Sequence, residues 1–142
     1  MTPAAARATR RSLRPVAAAL VAIVVVTVAM RVAFGDRTDY AGHFLAGAGG
    51  TLLLLAVVLA RRGTRPYAVA AACVVAILLG VGTEATIFKL AIFDPVDLGN
   101  QSLGAVIATA GLLDAEGSPA LAAATAVSAV GLLIVGFWLA FA

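Results

Sequence analysis

Apolar residues in this chain do not alternate with polar ones; they come in long runs. Five runs, about Pro15–Phe34, Tyr40–Ala60, Pro66–Phe88, Leu98–Leu113 and Pro119–Ala142, are separated by short segments that carry most of the charge. A helix crosses the hydrocarbon core of a bilayer in about 20 residues, and every run but the fourth reaches that length. The pattern predicts an all-α, polytopic membrane protein: a bundle of about five transmembrane helices with no soluble domain. Pro66 is well placed to open the third helix, because proline's missing N–H costs nothing in a first turn. The fourth run starts with Gly99, Asn100, Gln101 and Ser102. It either spans with this polar start at the interface or re-enters, and spanning is the expectation adopted here. The fifth ends on Phe137, Trp138 and Phe141, aromatic residues suited to a membrane interface.

Composition supports the same picture. The 142 residues are 63% apolar and only 12% charged, with a mean hydropathy of +1.08, whereas ordinary soluble domains carry about 25% charged residues. The net charge of +3 is not a nucleic-acid footprint, since four of the ten basic residues (Arg7, Arg10, Arg11, Arg14) precede the first run and three (Arg61, Arg62, Arg65) share one loop. Such clusters mark cytoplasmic segments. With Arg7 to Arg14 inside, two crossings return the chain to the same side at Arg61 to Arg65, so the two clusters agree. Residues 1–14 are expected to be a basic cytoplasmic segment and 15–142 a single transmembrane domain, in the inner membrane of a bacterium. Arg10-Arg11-Ser12-Leu13 also permits a twin-arginine signal peptide. The first run is long for a signal core, and no convincing cleavage site precedes Gly35, so a retained anchor is preferred. Cys73 stands alone inside a run, as a small packing residue would.

This orientation sorts the remaining polar residues. Five of the seven acidic residues (Asp36, Asp39, Glu84, Asp94, Asp97), the single histidine His43, and Asn100 all fall at the outer ends of the second, third and fourth helices. Ionisable groups near membrane depth are costly and usually face a bundle interior or a wet cavity. Helical spacing extends the pattern. Asp39, His43, Gly47 and Gly50 follow one face of the second helix; Glu84, Gly80, Ala76 and Cys73 follow one face of the third; Asn100, Gly104, Ala108 and Gly111 follow one face of the fourth. Small residues let membrane helices approach closely, so the three stripes are expected to face one another and gather Asp39, His43, Glu84, Asp97 and Asn100 into one ligand-binding pocket. Separate structural roles are the alternative: Asp39 capping the second helix, Asp97 or Asn100 the fourth, and His43 hydrogen-bonded in the packing. Lys89 is expected to snorkel to the interface.

These residues resemble the VanZ-like family of small bacterial membrane proteins. The family pattern is an Asp followed four residues later by His-Phe, then a Gly-containing helix bearing Glu, then Asp-x-x-x-Asn-x-x-Gly opening another helix. Here the elements read Asp39-Tyr40-Ala41-Gly42-His43-Phe44, Gly80-Val81-Gly82-Thr83-Glu84 and Asp97-Leu98-Gly99-Asn100-Gln101-Ser102-Leu103-Gly104. The order matches over roughly Asp39 to Gly111, and so does the spacing but for one interval. The chain departs from the family in having Tyr40 in place of the usual Lys, Ile87 in place of a Gln, and one residue fewer between Asp97 and Asn100, which makes it a divergent member. The resemblance implies a helical plan, an envelope setting and an association with resistance to teicoplanin-type glycopeptides; it does not supply a reaction.

Three functions compete. One is a non-enzymatic envelope protein whose outer pocket binds a lipid headgroup, cell-wall precursor or glycopeptide-like molecule. A second is an enzyme acting on a lipid-linked substrate, with Asp39, His43 and Glu84 as acid–base groups. Against it, the sequence contains no HExxH, nucleophile motif or phosphate-binding loop, and one histidine is poor provision for zinc. A third is a small transporter subunit, although the acidic residues gather at one end and no inverted repeat is evident. Membrane lipids are the expected partners, and no cofactor or metal is expected.

Overall fold

The computed structural model describes residues 3–61, 64–86 and 94–141, with side chains from Leu13 onward except that of Glu84. Five helices carry these residues, α1 (Pro3–Phe34), α2 (Thr38–Leu59), α3 (Pro66–Thr86), α4 (Pro95–Ala110) and α5 (Pro119–Phe141), with no strand among the described residues. Among the described residues, four segments are long and apolar enough to cross a membrane: Leu13–Phe34, Thr38–Leu59, Pro66–Thr83 and Pro119–Phe141. The fourth helix has 16 residues, about 24 Å at 1.5 Å per residue, against a hydrocarbon core of about 30 Å.

Two boundaries differ from the hydrophobic pattern. The first helix begins at Pro3 and carries Pro15 in its interior. Proline there removes the bond to the carbonyl four residues back and costs about 3 kcal/mol in an ordinary helix. The Ala and Arg residues on its N-terminal side are strong helix formers, and the basic segment is helical. The fourth helix starts at Pro95, three residues before its apolar run, because Asp94 caps it: Asp94 Oδ1 accepts the Val96 N–H at 2.8 Å and Pro95 takes the first position.

The second helix is the hub. It buries more than half of its circumference, Phe44, Leu45, Leu52, Leu55 and Leu59 among the residues covered, and leaves Leu53 and Val57 exposed. On one side it runs antiparallel to α5 with backbones nearly touching. A Cβ on Gly42 would lie 2.5 Å from the Ala140 nitrogen, and one on Gly136 3.0 Å from the Ala46 nitrogen. On the other side it runs parallel to α4, where Gly47 abuts the Gln101 carbonyl and Gly104 abuts that of Phe44. The buried hydroxyls of Thr51, Thr109 and Thr125 each donate to the carbonyl four residues back, at 2.7, 2.8 and 2.8 Å, so no threonine is left unpaired in this apolar core. Gly35, at φ +51°, ends α1 in the left-handed conformation that glycine adopts without steric cost. The turn it makes sets the entry of α2.

Candidate functional site

The N-terminal ends of α2 and α4 lie side by side, and each presents a polar residue to the other. His43 is one turn into α2 and Asp97 is in the first turn of α4. His43 Nε2 and Asp97 Oδ2 are 3.4 Å apart, with the side chains 27% and 18% exposed. At that separation the contact is electrostatic rather than a well-formed hydrogen bond. Capping by Asp94 corrects the expectation that Asp97 or Asn100 would close the helix, and it leaves Asp97 free to face α2.

Among the described residues, Asp97 Oδ1 and Asn100 Nδ2 are buried polar atoms without a hydrogen-bond partner. They lie three residues apart on one face of α4. A buried polar atom left unpaired costs about 1–3 kcal/mol, and here one turn of α4 carries both an unused acceptor and an unused donor.

Asp39 has a different setting. It lies in the first turn of α2, where the position before the helix is held by Arg37 and no side chain caps it. Instead its carboxylate takes the Arg37 guanidinium in a forked contact, Nη2 to Oδ2 at 2.8 Å and Nε to Oδ1 at 3.1 Å. These bonds to Asp39 hold the exposed guanidinium protonated above its ordinary range. The Arg37 guanidinium carbon also lies 4.1 Å from the centre of the Tyr40 ring, which meets Phe34 edge-on at 5.4 Å. Arg37 was not among the residues expected at the site. Its partner stands two positions away across a helix start, a spacing outside helical periodicity.

One turn below the His43–Asp97 pair is a groove of about 250 Å³ between α2, α3 and α4. Its walls include Gly47 and Gly50, Ala76, Gly80 and Thr83, and Gln101 and Ala105. The small-residue stripes of α2 and α3 thus meet here. The stripe of α4 divides, Gly104 packing on α2 and Gly111 on Ala19 of α1. Gln101, which sequence reasoning left out of the pocket, reaches across so that a Cβ on Gly80 would lie 2.7 Å from its Nε2. The signal for it was its place four residues after Asp97. Glu84 follows Thr83 in the last turn of α3, but its side chain lies outside the described residues, as does Lys89.

No family model, curated protein or solved structure matches this chain. What the site can do therefore rests on its own chemistry. An imidazole against a carboxylate can hold or pass a proton. An unused acceptor and an unused donor within one turn of α4 suit a group that offers both, such as an amide or a hydroxyl. An apolar groove beneath suits a hydrocarbon chain. Among the described residues, no three of His, Cys, Asp and Glu come together as metal ligands would.

Proposed function

We propose that this chain is a divergent VanZ-like integral membrane protein of the bacterial cell envelope, inserted with its N-terminus in the cytoplasm. In this proposal it binds an amphipathic envelope ligand, a lipid headgroup, cell-wall precursor or glycopeptide-like molecule, at the outer ends of α2 and α4. Insertion is supported by the surface. Val21, Val25 and Val32 on α1, Leu78 and Leu79 on α3, and Val127, Ile134 and Trp138 on α5 are all exposed, far more apolar surface than a water-soluble monomer presents. Orientation is supported by the two basic clusters, which the positive-inside tendency assigns to the cytoplasm.

The observation that carries the binding proposal is the unpaired Asp97 Oδ1 and Asn100 Nδ2 beside His43, at the head of an apolar groove. An amide or hydroxyl of the ligand supplies the missing partners, and its chain lies against Gly47, Gly50 and Gly80. The test is photocrosslinking in proteoliposomes with a diazirine-bearing lipid whose headgroup carries an amide. Labelling concentrated on the groove residues of α2, α3 and α4, and lost in Asp97→Ala, is expected. Labelling spread evenly over the exposed faces of α1 and α5 would refute it.

A further inference from the structure

The opposite end of the bundle holds a second cleft, built from different chemistry. Past Leu59 the chain turns sharply. Thr64 Oγ1 donates to the carbonyls of Val58 and Arg61 at 3.1 and 2.8 Å, and the Ala68 N–H reaches the Arg65 carbonyl at 2.9 Å as α3 begins. From the other side Gly117, between α4 and α5, packs directly on the Arg61 carbonyl, and a Cβ there would lie 2.5 Å from Thr64 Oγ1. The turn is thus pinned from two directions.

Its effect is to hold Arg61 and Arg65 on the wall of a single cleft of about 470 Å³, whose remaining lining is Val57, Val58, Thr64, Tyr67 and Ala68. Arg37 at the far end has its carboxylate. Among the described residues Arg61 and Arg65 have none: the only ion contacts are Arg37–Asp39 and His43–Asp97. Two like charges on one cleft repel each other until an anion sits between them. The apolar wall of Val57, Val58 and Ala68 runs from that charged mouth along the helices.

We propose that this cleft binds the phosphate of an anionic phospholipid, with Arg61 and Arg65 as its donors and the start of an acyl chain against Val57, Val58 and Ala68. Planar guanidinium groups match phosphate oxygens two at a time, and basic pockets between helices on the cytoplasmic side suit such headgroups. The site is separate from the His43–Asp97 pocket and stands whether or not that pocket binds a ligand.

The test is native mass spectrometry of the full chain in detergent, titrated with phosphatidylglycerol, with phosphatidylcholine and with inorganic phosphate. Wild type is expected to retain phosphatidylglycerol about tenfold better than phosphatidylcholine, and Arg61→Gln and Arg65→Gln each to lose about tenfold in that retention. Arg65→Lys, which keeps charge without the fork, should lose less. Arg14→Gln removes a charge outside the cleft and should leave retention unchanged. Equal retention of the two lipids, or an equal loss in Arg14→Gln, would overturn the proposal. Full displacement of phosphatidylglycerol by millimolar inorganic phosphate would reassign the cleft to free phosphate and overturn the lipid assignment. Unchanged thermal transitions of the glutamine variants would show that the loss is one of binding.

Discussion

Glycine does opposite things on two faces of α2. Toward α5, Gly42 lets two backbones touch and closes the seam. Toward α3, Gly50 has nothing within 4 Å of where a Cβ would stand, and the seam opens into the groove. The residue type and the helix are the same, and only the partner surface differs. A small residue thus permits close approach without enforcing it. What closes the α2–α5 seam is the matching small residues Gly136 and Ala140 on the other side. Across the groove α3 also offers small residues, Ala76 and Gly80, but the Gln101 side chain stands against Gly80 at one end.

The sharpest way to break this comparison is to add a methyl group on the closed faces. Gly47→Ala would place a carbon onto the Gln101 carbonyl and is expected to cost about 3 kcal/mol, the upper part of the overpacking range, read as a loss of unfolding free energy in detergent. Gly42→Ala should follow at about 2 kcal/mol by the same measure, since its neighbour, Ala140, lies slightly farther off. On the open face the sign reverses. Gly50→Ala should stabilise the helix by about 0.5–1 kcal/mol, whereas Gly50→Leu should leave the protein folded while reducing photolabelling of the groove several-fold. If Gly50→Leu destabilised as much as Gly47→Ala, the groove would not be open space. The smallest effect belongs to the surface. Arg37→Ala should change stability by less than about 1 kcal/mol, because its ion pair with Asp39 is exposed to solvent, and the same unfolding measurement would show it.

The helices were legible because an apolar run of membrane length leaves little choice, and the limits of α2, α3 and α5 fall close to the ends of their runs. The limits of α1 and α4 do not, for opposite reasons. Pro15 reads as a start, yet the Ala- and Arg-rich segment before it has enough helix propensity to continue through it. Asp94-Pro95 is a cap followed by a first-position proline, a local signal that hydropathy does not weigh. In the site, the four-residue spacing of Asp39 and His43 reads as one face of α2, and the two residues there have different partners, Arg37 and Asp97. That spacing could not show Arg37 reaching Asp39, because the contact depends on side-chain geometry ahead of the helix. Nor could it show Gln101 crossing to α3, which depends on how far apart the helices stand.

The brevity of α4 reaches beyond the protein. With 16 residues it falls about 6 Å short of a typical hydrocarbon core, while its neighbours α2 and α3, at 22 and 21 residues, do not. With the chain inserted as proposed, lipid meeting the flank where Leu103 and Val106 are exposed would thin to cover the mismatch. His43 and Asp97 stand at the N-terminal end of this short helix. On the proposed insertion and ligand, a leaflet thinned at that end would bring a headgroup nearer the polar pair, and the thickness of the surrounding membrane would become part of how the ligand gets in.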